Sequence, residues 1–308
     1  MPKKIIKIVI IIPYFGKWPS YFNIYLKGCE NNPWLDIIFF TDCEIPEYKS
    51  SNVLFHKFNM IKFSQLASEK LDLKINVSNA YKLCDFRPCY GLIFEDYIKD
   101  YDYWGYGDID LIYGNLKPFI VDRIDQGFEV ISNRFEILSG SLSIFKNTSF
   151  LKNLFKQSEV LINLLSSKNY EGLDETAHNH STWRGGNKLT LPAHSFTYMI
   201  ANEDQKGLIK ASFITTCKEQ IDNEEVIIYK NGVLHFQGSS LAYYHYVCNK
   251  NNCEYKLPSW KEVPNHFFIS KTGFYKTNKF YRLIHGYRTV SGFMIDITTR
   301  IWNRLNKK

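Results

Sequence analysis

The chain of 308 residues has no run of about 18 consecutive apolar residues, so no helix that crosses a membrane is expected. It has no disulfide framework either. Its seven cysteines, an odd number, are scattered at 29, 43, 84, 89, 217, 248 and 253, a usage that fits a reducing cytosol. A secretory leader is not expected: after Met1-Pro2-Lys3-Lys4 the apolar stretch Ile8–Ile12 is broken by Pro13, and no small-residue cleavage site follows. Internal repeats and low-complexity linkers are missing. The bulk of the chain also lacks any excess of one charge. The net charge is +7, and residues 276–308 hold Lys276, Lys279, Arg282, Arg288, Arg300, Arg304, Lys307 and Lys308 against Asp296 alone, which accounts for all of it.

The chain is 45% hydrophobic, enough to bury a full core and to form one large α/β domain with an appendage. Ile5–Ile12 is a nearly continuous β-branched run, the pattern of a strand buried on both faces of a parallel sheet. Pro13-Tyr14-Phe15-Gly16 turns at its carboxyl end, where open α/β sheets bind ligands. A helix is expected over 19–29, strands over 35–40 and 53–58, helices over 63–71 and 90–98, and a strand over 128–133. This alternation predicts a mixed, mainly parallel central sheet. We place one nucleotide-binding domain over 1–250 and an extension over 251–308.

The most informative segment is Tyr103-Trp-Gly-Tyr-Gly-Asp-Ile-Asp-Leu-Ile-Tyr-Gly114. An aromatic strand ends in Gly107 and presents Asp108 and Asp110. In extended chain, residues i and i+2 share a face, so both carboxylates converge while Ile109 turns to the core. Paired oxygen ligands at a strand end suit a hard divalent cation, Mn²⁺ or Mg²⁺, that leaves positions open for phosphate oxygens. The expected chemistry is transfer of a sugar from a nucleotide diphosphate.

Four further segments are candidates to complete the site. Asp42, at the end of the second strand, is positioned for a ribose or base edge, with Pro13 and Tyr14 beside it. Tyr81-Lys82-Leu83-Cys84-Asp85-Phe86-Arg87 offers Lys82 and Arg87 for phosphate, or for pairing with Asp85. Leu138–Ser143 is a small-residue loop with room for a sugar. Val233-Leu234-His235-Phe236-Gln237-Gly238 delivers His235 as a third metal ligand and frees the Gly238 backbone to approach an anion.

The order of these pieces resembles retaining glycosyltransferases of the glycogenin and lipooligosaccharide-galactosyltransferase type. The counterparts are Asp108-Ile-Asp110, Leu173-Asp174-Glu175, Leu191-Pro192 and His235-Phe-Gln-Gly238. The phrases IIPYFGKWPSYF, FFTD, YKLCDFRP and YWGYGDIDLIYGNL are similar to a family of bacterial proteins found with capsule and O-antigen genes. The resemblance implies a GT-A-like fold with Asp108, Asp110 and His235 on the metal, Gly238 against the diphosphate, and Asp174 on the donor sugar. It also implies a nucleotide-sugar donor, UDP favoured, and a glycan or lipid-linked glycan acceptor. Glu175 stands where that pattern has glutamine, and the lysine expected after His-Phe-x-Gly is absent. An inverting reaction would need a base, for which Asp174 and Glu175 are the candidates.

Rival readings are a sugar nucleotidyltransferase, a phosphohydrolase and a non-catalytic binding module. The first usually carries a glycine-rich basic loop after its first strand, which Pro13-Tyr14-Phe15-Gly16-Lys17 is not. The second would place its Asp-x-Asp after the first strand.

In the basic tail, Phe280, Tyr281, Ile284, Tyr287, Phe293, Ile297 and Trp302 interleave with the bases, as in an amphipathic anchor on an anionic leaflet. The expected location is cytoplasmic, peripheral to the inner face of the cytoplasmic membrane. No nucleic-acid motif accompanies this charge, so nucleic acid is not an expected partner. Deleting residues 276–308 should abolish co-sedimentation with vesicles containing anionic lipid; unchanged co-sedimentation would refute the anchor.

Overall fold

A computed structural model describes residues 5–47, 50–250 and 252–277. The expected basic tail thus lies almost wholly outside the described residues. Within them, no helix is long and apolar enough to cross a membrane, and all seven cysteines are free thiols.

The central sheet has seven strands in the order β3-β2-β1-β4-β7-β6-β8. These are β1 (Ile8–Tyr14), β2 (Leu35–Thr41), β3 (Val53–Lys57), β4 (Tyr103–Gly107), β6 (Val130–Ser132), β7 (Leu142–Lys146) and β8 (Ala211–Phe213). β3, β2, β1 and β4 run parallel, β7 is antiparallel to both β4 and β6, and β6 is parallel to β8. This is the mixed, mainly parallel α/β architecture that the alternating sequence predicts. Its core lies on both faces, because successive residues of a strand point to opposite sides. Val9, Ile11, Ile38, Phe40, Trp104 and Tyr106 join one cluster. Ile8, Ile10, Ile12, Ile37, Phe39 and Tyr103 join the other.

Helices α1 (Phe22–Glu30) and α2 (Met60–Leu71) cross over between the first strands. The helix expected over 90–98 is instead two short helices, Tyr90–Ile93 and Glu95–Ile98. The break at Phe94 turns that ring fully into the core, where it stacks on Phe40 at 4.2 Å between centroids.

Two smaller sheets complete the molecule. β5 (Leu111–Tyr113) and β9 (Cys217–Lys218) flank β13 (Tyr243–His245), antiparallel and parallel to it respectively. An antiparallel sheet of order β12-β11-β10-β14-β15 contains β10 (Val226–Lys230), β11 (Val233–Phe236), β12 (Ser239–Leu241), β14 (His266–Ser270) and β15 (Gly273–Tyr275). The division placed at 250/251 falls inside this last sheet, since β14 pairs directly with β10.

Candidate metal centre and the cleft around it

The register of β1 against β4 pairs Ile11 with Tyr106. Pro13 and Tyr14, at the carboxyl end of β1, therefore stand beside the residues that follow Gly107. The Asp108-Ile109-Asp110 segment is not extended as expected. It bends, because the chain leaves the central sheet after β4 and joins the small sheet at β5. The bend is held by the Asp108 N–H, which donates to the Ser141 carbonyl at 3.0 Å, and Ile109 is buried as anticipated. The carboxylates still converge.

The third residue beside them is His245, not His235. β13 pairs antiparallel with β5 so that His245 lies opposite Leu111, and the Tyr246 N–H donates to the Asp110 carbonyl at 3.3 Å. The His245 Nε2 atom lies 3.5 Å from Asp110 Oδ1 and 3.8 Å from Asp108 Oδ2. One ligand atom from each of the three lies within 4.8 Å of the others. Nε2 is buried and has no hydrogen-bond partner among the described residues. On its other side the ring meets Glu219, with Nδ1 3.3 Å from Oε1. A carboxylate behind Nδ1 is what fixes the tautomer of a metal-binding imidazole and turns the Nε2 lone pair toward the ion. Two carboxylates and one imidazole in that arrangement fit a divalent cation.

Cations of the protein stand next to this triad. Arg87 bridges Asp108 and Asp174, with Nη1 2.7 Å from Asp174 Oδ2. Lys250 Nζ lies 2.7 Å from Asp110 Oδ2. Burial pushes the Asp110 carboxyl up, but His245 and Lys250 outweigh it and hold it well below the usual range. Burial disfavours the charged imidazole of His245, yet Asp110, Glu219 and Asp108 raise its pKa to about 10.

Two chambers meet at the aspartates and share Tyr81, Cys84, Arg87, Asp108, Asp110 and Lys250 as walls. One, of about 320 Å³, runs toward Pro13, Tyr14 and Tyr21 at the end of β1. The other, of about 300 Å³, is lined by Gly140, Tyr170, Asp174, Glu175 and Trp183. Burial raises the Asp174 carboxyl to about 6, against the pull of Arg87. Burial and the charge of Asp174 raise Glu175 to about 7, with the Gly140 N–H, 2.8 Å from Glu175 Oε1, opposing. A side chain at Gly140 would displace the charged groups packed over it. A Cβ would stand 2.6 Å from Arg87 Nη1 and 2.8 Å from Glu175 Oε1.

The remaining sequence candidates divide. Pro13, Tyr14, Arg87, Asp108, Asp174 and Glu175 line the chambers. Lys82 and Asp85 line neither; they form a buried ion pair of 2.9 Å, and Asp85 accepts the Glu171 and Leu173 N–H groups. Their work is to pin the loop that carries Asp174. Asp42 is exposed and accepts the Gly16 N–H at 2.7 Å, which closes the turn after β1. His235 and Gly238 are exposed in the antiparallel sheet, where His235 pairs with Ile228 and Ser240 and neither residue reaches the cleft walls.

A model of the family of unknown function DUF6625 matches residues 10–278. The chain belongs to that family. No curated protein matches its sequence. Similar solved structures include mouse xyloside xylosyltransferase 1, with 10% identity over 79% of this chain and 98% of that one and a TM-score of 0.37. The WbbM bifunctional glycosyltransferase also matches, at 10% identity and a TM-score of 0.36. The match covers 79% of this chain but 45% of WbbM.

Sequence reasoning alone missed three residues of the candidate site of this DUF6625 chain: His245, Glu219 and Lys250. One signal was present. His245 sits among Tyr243, Tyr244 and Tyr246, all fully buried, the same aromatic setting that distinguished Asp108 and Asp110. Lys250 follows it by five residues, so a lysine does stand downstream of the metal-side histidine. Replacing His245 with alanine should remove Mn²⁺ binding measured by calorimetry, and Glu219→Gln should weaken it by about 10–100-fold. His235→Ala should leave it unchanged.

Proposed function

We propose that this protein is a metal-dependent glycosyltransferase that moves a hexosyl group from a nucleotide diphosphate sugar, UDP favoured, to a glycan. Surface polysaccharide synthesis of the capsule or O-antigen type is the proposed setting, on the inner face of the cytoplasmic membrane. The observation that carries the reading is the convergence of Asp108, Asp110 and His245 where two chambers meet at the carboxyl end of a parallel sheet. Mn²⁺ or Mg²⁺ held there would supply Lewis-acid charge to a departing diphosphate.

The residues divide the work. The chamber by Pro13, Tyr14 and Tyr21 would take the nucleotide, and the one by Asp174 and Glu175 the transferred sugar. Arg87 and Lys250 are the phosphate-facing cations. Without a ligand, Lys250 rests on Asp110 and Arg87 on Asp108, so a divalent ion competes with the protein's own charges. A diphosphate offers those cations another partner, which makes metal and nucleotide bind together better than either alone. Lys250→Gln should therefore tighten Mn²⁺ binding alone and weaken binding of UDP in the presence of Mn²⁺, both read by calorimetry. The opposite pair of changes, or none, refutes this charge exchange. Failure of any UDP-sugar to be hydrolysed in Mn²⁺ would count against the enzyme itself.

Retention of configuration is the stereochemistry proposed, from the resemblance. One observation favours inversion as a second reading: Glu175 is raised to about 7, a value matched to general-base work at neutral pH. A raised carboxyl is protonated below that value and a base above it. An inverting enzyme should then gain rate as pH rises through about 7 and lose roughly 10²–10⁴-fold with Glu175→Gln. A retaining one should show no such step, and the anomeric form of the product by NMR decides between them.

A further inference from the structure

We infer that Trp183 is an acceptor subsite, a platform on which a glycan of at least two sugar units stacks while its terminal unit, a neutral one, enters the chamber beside Asp174 and Glu175. This rests on the transferase reading above and names a substrate class for the same cleft. Trp183 is 47% exposed, although the chain buries most of its other large rings. It is held on a short 3-10 turn, Ser181–Arg184, anchored by the fully buried Thr182. The Gly185 and Gly186 N–H groups both donate to the Thr182 carbonyl, at 3.0 and 3.2 Å. A Cβ on Gly186 would stand 2.6 Å from the Ser181 carbonyl oxygen, so the turn is too tight for another residue. An exposed indole on so constrained a turn is presented, not merely left outside.

Its position ties it to the chemistry. Trp183 lines the inner chamber with Asp174 and Glu175, and also an outer cavity of about 720 Å³ shared with His180, Ser181 and Arg184. The Arg134 guanidinium sits 5.5 Å from its ring centroid, and the same Arg134 binds Glu219 at 2.6 Å, the carboxylate behind His245. Indole, guanidinium, carboxylate and imidazole thus form one continuous chain from the outer cavity to the metal centre. Across the inner chamber, Tyr81 is 62% exposed and packs edge-on against Tyr170 at 4.7 Å.

The wall chemistry selects the ligand. The bases of the inner chamber are already engaged: Arg87 with Asp108 and Asp174, Arg134 with Glu136 and Glu219, and Lys250 with Asp110. With a diphosphate bound, Arg87 and Lys250 face it and Arg134 stays with Glu136 and Glu219, so the terminal unit of the acceptor meets no cation left over in that chamber. Carboxylate oxygens and aromatic faces remain, and they suit hydroxyls and the apolar C–H face of a pyranose. Trp183 borders both the inner chamber and the outer cavity, so an acceptor that uses both is longer than one sugar.

The experiment is a glycan array of mono-, di- and trisaccharides probed with the full chain in UDP and Mn²⁺, alongside Trp183→Ala and Trp183→Phe. Wild type should retain a set of di- or trisaccharides. Trp183→Ala should hold them more than tenfold less, and Trp183→Phe should largely restore them. Both variants should remain folded, and the melting temperature of each should still rise with UDP and Mn²⁺. Equal retention by wild type and Trp183→Ala, retention of monosaccharides alone, or capture of no glycan overturns the subsite. Failure of the transferase reading has a different signature, since UDP with Mn²⁺ would then not shift the wild-type melting temperature, whatever the array shows.

Discussion

The site depends on one strand pairing. β13 returns more than 130 residues after the aspartates and docks antiparallel on β5, and that register puts His245 beside Asp110. On its other edge β13 runs parallel to β9, with Tyr244 opposite Lys218, so the next residue along, Glu219, comes up behind the His245 ring. A three-stranded sheet of eight residues therefore places both the imidazole of the candidate metal centre and the carboxylate behind it. Register is strict in such a sheet, because a slip of one residue would turn His245 to the opposite face. Tyr243, Tyr244 and Tyr246 oppose that slip by burying their rings completely.

Charge is the second constraint. Asp110 and Asp174 are buried carboxylates, and burial of an unpaired charge costs far more than a typical domain can spare. Arg87 meets the need on one side by binding Asp174 and Asp108 at once, while its guanidinium lies 5.5 Å from the centroid of the Tyr106 ring. Lys250 meets it on the other. Removing one partner of such a buried pair typically costs about 3–5 kcal/mol, so Arg87 belongs to the fold as much as to the cleft. Lys250 and His245 thereby hold the Asp110 carboxyl below its usual range before any ligand arrives.

Local features of the sequence were the readable ones. The β-branched run that became β1, the apolar β2 and the aromatic approach to Asp108 each carry their structure in a handful of neighbouring residues. The charges around Arg87 suggested either phosphate or pairing with Asp85, whereas in the structure Lys82 takes Asp85 and Arg87 pairs with Asp108 and Asp174. His235 was the misleading residue. It follows an apolar strand and precedes a glycine turn, which is what a metal ligand would show, but also what any antiparallel hairpin shows. Here Gln237 and Gly238, both with positive φ, make the tight turn from β11 to β12. His245 has only its tyrosine neighbours to mark it locally, and its partner strand is set by a contact more than 130 residues away.

The same reasoning explains why Lys82 and Asp85, which look like ligand groups, are structural. Their pair is fully enclosed, and Asp85 spends both oxygens on the backbone N–H groups of Glu171 and Leu173. That leaves them no contact with the cleft, yet it fixes the loop on which Asp174 and Glu175 follow immediately. Arg87 comes from the same 3-10 helix and reaches Asp174 directly, and Glu175 closes onto Gly140. One ten-residue segment thus holds the wall of the chamber beside Asp174 and Glu175 twice, once through the backbone and once through a side chain. A wall held in that way can present carboxylates with raised pKa values to a ligand without reorganising, which is the condition under which fixed dipoles and charges contribute most to a reaction.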